Sequence, residues 1–178
     1  GPRGGAPTGA PPPERAVSLG GEVVTGLLTA KDHLFYQSTP SAGNIPERDG
    51  LVLEFPLPVK TGKAALAIRA KNSILLDYML GEFNQLFGDS YHAFMKRQQK
   101  VPAEKLYQWP KDQGMPVSLY VERYGKWEYV DFYHIAGPMA FKEDILEIPL
   151  TGGESDPLRV KLEYGYFFWE IDYTALGV

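Results

Sequence analysis

Short alternating runs dominate the chain. Leu51-Val52-Leu53-Glu54-Phe55 puts Leu51, Leu53 and Phe55 on one face, and Ala65–Lys71 sets Leu66 and Ile68 against Arg69 and Lys71. Residues at i and i+2 share a face only in extended chain, so both runs predict strands with one buried side. Val117, Leu119 and Val121 alternate with Ser118, Tyr120 and Glu122. Trp127–Phe132 returns after Tyr124-Gly125-Lys126, which predicts a hairpin. Ile145–Leu150 and Leu158–Tyr164 alternate in the same way, with Arg159, Lys161 and Glu163 outward. Gly165 turns the chain into an aromatic closing strand, Tyr166–Tyr173. Phe167, Trp169, Ile171 and Tyr173 predict its inner face; Phe168, Glu170 and Asp172 share the other. Nearer the N-terminus, Glu22–Leu28 and Lys31–Tyr36 are rich in β-formers and are expected as strands, followed by a loop over Ser38–Asp49.

One block breaks this period. After the capping residues Asn72-Ser73, the apolar positions Leu75, Tyr78, Met79, Phe83 and Leu86 recur at helical spacing up to Gly88. Further helices are expected over about 91–99 and from Pro102 to before Pro110. The helices are grouped rather than interleaved with strands, which argues against a doubly wound parallel sheet. The pattern predicts a mainly β fold: a two-layer, jelly-roll-like β-sandwich with an inserted helical block at about residues 73–110. Of residues 1–15, nine are Gly or Pro, which predicts a disordered tether. Residues 16–178 are then a single sandwich domain with its helical insertion at 73–113.

Composition narrows the partners. Net charge is −4, and the densest basic run, Lys96–Lys100, carries three cations, so no nucleic-acid partner is expected. There is no Cys, which excludes disulfides, thiol chemistry and Cys-held zinc or iron–sulfur clusters. No run of 18 apolar residues predicts a membrane span. Gly1-Pro2 fits a processed terminus, left by tag cleavage or by removal of an export signal, and the gene product is expected to be longer. A lipid or linker tether through this end suits both readings.

Candidate chemistry is sparse. His33, His92 and His134 lack metal-site spacing, and no nucleophile elbow or phosphate loop is present. No cofactor is expected; a structural calcium on the loop carboxylates Asp49, Asp112, Glu154 and Asp156 is left open. Glu170 and Asp172 are the best catalytic pair, about 7 Å apart by strand geometry, a spacing that suits glycoside hydrolysis. Structural pairing with Tyr, Lys or Arg is the stronger reading of both, so no catalytic residue is assigned. Exposed aromatics stack on sugar rings, and Tyr36, Trp109, Trp127, Tyr133 and His134 sit in or beside expected turns. These are the candidate ligand-binding residues, with core packing as the competing reading.

The order of elements carries a resemblance. The hairpin Val117–Phe132, the connection Ala136-Gly137-Pro138-Met139-Ala140 and the strands Ile145–Leu150, Leu158–Tyr164 and Phe167–Leu176 resemble the C-terminal half of the galactose-binding-like β-sandwich, the jelly roll of discoidin domains and carbohydrate-binding modules. Ser118-Leu119-Tyr120-Val121-Glu122 with Trp127-Glu128-Tyr129-Val130 carries the likeness most closely, over roughly residues 50–72 and 116–177. The helical block departs from that family. The chain is also similar to uncharacterised domains of exported bacterial lipoproteins. The resemblance implies a non-catalytic, extracytoplasmic module, periplasmic or at the cell surface, with carbohydrate as the first ligand class. The alternatives are an accessory subunit docking on another protein and a glycoside hydrolase fragment using Glu170 and Asp172.

Overall fold

The alternating runs form antiparallel strands, and their partners are nested. The computed structural model describes residues 9–39, 45–81, 112, 114–133 and 137–178. Among them are nine strands: β1 (Arg15–Ser18), β2 (Tyr36–Gln37), β3 (Arg48–Phe55), β4 (Thr61–Asn72), β5 (Val117–Arg123), β6 (Lys126–Tyr133), β7 (Lys142–Thr151), β8 (Leu158–Gly165) and β9 (Trp169–Gly177). One sheet has the order β1-β3-β8-β5-β6 and the other β2-β9-β4-β7. β5 pairs with β6, β4 with β7, β3 with β8 and β2 with β9. The second half of the chain thus retraces the first, as in one long hairpin rolled into two sheets. That is the jelly-roll arrangement. Its central turn is the two-residue loop Tyr124-Gly125, where φ is 49° and 74°. Two positive φ values match the twist of the flanking strands, which is why glycine is wanted there.

The dry faces meet between the sheets. Leu51, Leu53 and Phe55 of β3, Leu158, Val160 and Leu162 of β8, and Val117, Leu119 and Val121 of β5 are fully buried. They pack against Leu66 and Ile68 of β4, Leu146 and Ile148 of β7, and Trp169 and Ile171 of β9. The helical residues 74–81 are capped by Ser73, whose hydroxyl accepts the Leu76 N–H at 3.2 Å. Leu76 joins the core. The rest of the expected helical block lies outside the described residues, apart from Asp112.

Several boundaries differ from the sequence pattern. Glu22–Leu28 is not a strand. It makes one bridge, Val23 to Val17, and a 3-10 turn over Thr25–Leu27, because the Thr25 hydroxyl accepts the Ala16 N–H and bends the chain back. Lys31–Tyr36 is strand only at its end: Asp32 accepts the Leu34 N–H and His33 takes a φ of 63°. Asp49 is not in a loop but within β3. Tyr166–Phe168 turns before β9 begins, with Phe167 at φ 67°. The expected tether is already attached by residue 11: Pro11 C=O accepts the Leu176 N–H, and the Glu14 N–H reaches Glu54 C=O. Among the described residues no helix is long and apolar enough to cross a membrane.

Two buried carboxylates join the ends of the roll. Asp49 lies two residues before Leu51 and so points inward. It is 2% exposed and accepts hydrogen bonds from the Tyr36 hydroxyl at 2.8 Å, the Ser38 hydroxyl at 2.6 Å and the Gly50 N–H at 2.7 Å. β2 and β3 belong to different sheets, so this carboxylate ties the layers. Burial, then the bonded Asp49, pushes the Tyr36 phenol well above its ordinary pKa. At the hairpin end, the side chain of Glu154 is 0% exposed and contacts Arg123 Nε at 2.8 Å, and the same guanidinium holds Glu128 at 2.8 Å. Burial works to raise the Glu154 pKa; the N–H of Thr151 and the Arg123 guanidinium outweigh it and hold the carboxyl at about 2.

Asp49→Ala leaves two hydroxyls without an acceptor, so urea denaturation should show a loss of about 2–4 kcal/mol, against about 1–2 for Tyr36→Phe. Glu154 has a folded pKa below its unfolded value. Its contribution is complete above about pH 4.5 and disappears as pH falls through about 2. Glu154→Gln should therefore flatten the stability profile across that window, measured by denaturation at stepped pH.

Candidate functional site

The aromatics singled out by sequence separate into two groups. Tyr36 and Tyr133 are not exposed rings beside turns: they are 6% and 3% exposed. Each sits on a strand and spends its hydroxyl inside the protein. Tyr36 donates to Asp49, and Tyr133 donates to Ala70 C=O at 3.2 Å and Lys142 C=O at 2.5 Å. The Tyr133 ring also meets Trp169 edge-on at 5.4 Å. Trp127 is half-buried on β6 and faces outward. Trp109 and His134 lie outside the described residues.

The carboxylates are engaged. A bulge in the β4–β9 pairing sets Asp172 and Tyr173 against Arg69, so the simple alternation of the closing strand stops there. Asp172 is fully buried, with one oxygen 3.1 Å from Arg69 Nε. Glu170 lies 3.7 Å from Lys71. The pair expected to share one face of the strand is separated by the irregular register, and Asp172 has no exposed surface for a substrate. Among the described residues no group of three or more His, Asp or Glu side chains is arranged to hold a metal ion. Asp156 accepts the Leu57 N–H at 3.2 Å, and Glu154 and Asp49 are committed as above.

The outward face of the five-stranded sheet has a different character. Register aligns its side chains in rows across the strands. One row runs Glu54, Arg159, Glu122, Trp127; the next runs Val52, Lys161, Tyr120, Tyr129; the third runs Gly50, Glu163, Ser118, Phe132. Arg159 lies 5.4 Å from the Trp127 ring centre and contacts Glu122 at 2.5 Å. Lys161 sits 4.7 Å from the Tyr120 ring and 5.2 Å from that of Trp127, and reaches Glu163 at 3.4 Å. Tyr120 and Tyr129 meet edge-on at 5.7 Å. Cations over the Trp127 and Tyr120 rings hold these side chains in place. Beyond the third row is a cavity of about 230 Å³ lined by Arg48, Asp112, Gly114, Ser118, Tyr120 and Glu163.

Of this face, sequence reasoning identified only Trp127 as a ligand candidate. The signal for the rest was present in alternation: Ser118, Tyr120 and Glu122 share one side of β5, and Arg159, Lys161 and Glu163 one side of β8. That β8 lies beside β5 is a matter of pairing, which alternation does not reveal.

The phenols on this face keep their protons at neutral pH. Burial and the Asp131 charge push Tyr129 up to about 12, and burial and Glu163 raise Tyr120. A raised phenol contributes stability below about pH 10 that is lost as pH rises toward 12. Spectrophotometric titration of Tyr129→Phe should lack one of the late-ionising phenols.

Comparison with protein-family models matches none of them, and comparison with curated proteins finds no match.

Proposed function

We propose that this chain is a non-catalytic carbohydrate-binding module of an exported bacterial protein, with the outward face of the five-stranded sheet as its binding surface. The observation that carries the reading is the cluster of Trp127, Tyr120 and Tyr129 on one wet sheet face, interleaved with Arg159, Lys161, Glu122 and Glu163. Aromatic rings supply apolar contact for sugar C–H faces, and fixed donors and acceptors beside them select hydroxyl patterns. The nested pairing gives a two-layer β-sandwich, and the likeness to galactose-binding-like modules rests on the sequence resemblance alone. The extracytoplasmic location rests on the Pro/Gly-rich N-terminus and the lipoprotein resemblance.

Docking on another protein as an accessory subunit is the second reading. It is supported by helical residues 74–81, where Ile74 is 78% and Tyr78 64% exposed.

The test is binding of the labelled chain to an array of plant, fungal and bacterial glycans. Binding to a defined subset is expected, with Trp127→Ala and Tyr120→Ala each weakening it at least tenfold, a loss of about 1.4 kcal/mol or more. Absence of binding across the array, or binding that both variants retain in full, would overturn the carbohydrate reading.

A further inference from the structure

The charges on the outward face are matched and interleaved. Its three rows hold Arg15, Arg159 and Lys161 against Glu54, Glu122 and Glu163, three cations to three carboxylates. The outward side chains of β6 in these rows, Trp127, Tyr129 and Phe132, carry no charge. Burial raises the Tyr120 and Tyr129 phenols, so at neutral pH they add none either.

Two of the cations are also committed locally. Arg159 stands between Glu54 and Glu122, with its Nε 3.6 Å from the first and a terminal nitrogen 2.5 Å from the second. Lys161 reaches Glu163 at 3.4 Å while its ammonium lies over the Tyr120 and Trp127 rings. The Lys161 and Glu122 side chains are only 17% and 20% exposed, so salt screens these pairs less than it screens fully exposed charges.

Register sets the two carboxylates nearest the rings on either side of them. Glu122 is in the row of Trp127, Glu163 is in the row of Phe132, and the row of Lys161, Tyr120 and Tyr129 runs between. Neighbouring rows are about 7 Å apart along a strand, within the screening length of about 8 Å at physiological ionic strength. A uronate or sulfate group over the middle row therefore feels both carboxylates, and the cations it would seek there are already paired. A neutral hydroxyl meets no such conflict. It donates to a carboxylate or accepts from the guanidinium or ammonium while the ion pair stays formed.

We infer that Glu122 and Glu163 are specificity-determining residues, which restrict this face to uncharged glycans by neutralising Arg159 and Lys161 and by repelling anionic sugars. The inference rests on the carbohydrate reading above and names the class of glycan.

The probes are neutral polymers (mixed-linkage β-glucan, arabinoxylan, galactomannan) and acidic ones (polygalacturonate, alginate, chondroitin sulfate), titrated calorimetrically against the intact chain. At least one neutral polymer should bind, and every acidic polymer should bind at least tenfold more weakly. Affinity for the neutral polymer should change less than about threefold between about 10 mM and about 1 M salt, where the screening length falls from about 30 Å to about 3 Å. Removing both carboxylates, Glu122→Gln with Glu163→Gln, leaves the three cations against Glu54 alone. That variant, its fold confirmed by circular dichroism, should gain at least tenfold in affinity for an acidic polymer, and high salt should abolish the gain. Glu128→Gln removes a carboxylate that lies off these rows, bonded to Arg123, and should gain nothing. An acidic polymer bound as tightly as the best neutral one, a folded double variant without the gain, or an equal gain from Glu128→Gln would overturn the charge exclusion and leave the carbohydrate reading standing. The comparison of polymers on the unaltered chain decides the matter even where the double variant does not fold. Failure of every polymer, neutral and acidic, and of the array removes both.

Discussion

Leu162 of β8 is paired with Leu51 of β3 on one side and with Leu119 of β5 on the other. All three are fully buried, and this register governs the rest of the protein. Side chains alternate with a period of two, so a slip of β8 by one residue would drive Arg159, Lys161 and Glu163 toward the core and expose Val160 and Leu162. The apolar penalty forbids that slip. The same constraint that builds the core thereby aligns Arg159, Lys161 and Glu163 beside Ser118, Tyr120 and Glu122. The outward face is a by-product of the inward one.

Charge is used where the roll must be closed. The middle of the sandwich is apolar, while Asp49 and Glu154 lie near its ends. Each is buried and each is met by several donors, the condition under which a buried carboxylate is tolerated. Asp49 joins β2 of one sheet to β3 of the other, and Glu154 joins the β7–β8 connection to the hairpin through Arg123. Asp172 follows the same pattern less completely: one oxygen bonds Arg69, and the other has no partner among the described residues. The bulge that places Asp172 opposite Arg69 also explains why the closing strand reads differently in space than in sequence.

The candidate residues show how far alternation reaches. Tyr36 and Tyr133 follow or precede apparent turns, and nothing local distinguishes them from surface rings. Their hydroxyls find partners on distant strands, Asp49 for one and Ala70 and Lys142 for the other, and those partners draw the rings inward. Trp127 was legible because it lies directly after the expected turn Tyr124-Gly125-Lys126. Tyr120 and Lys161 each had the right orientation in sequence, but their contact depends on β5 and β8 being neighbours, across about forty residues of chain.

What the sequence determined by itself was local and periodic. Alternation established the cores of the strands from Leu51 onward and the hairpin at Tyr124-Gly125, and capping chemistry the helix start at Ser73, because each depends on residues within one turn or one strand. The nested pairing, the bulge at Asp172, the early attachment at Pro11 and the cavity beside Ser118 were decided only in three dimensions. They depend on which strands lie side by side, and that choice is made by the summed burial of the whole core rather than by any single segment.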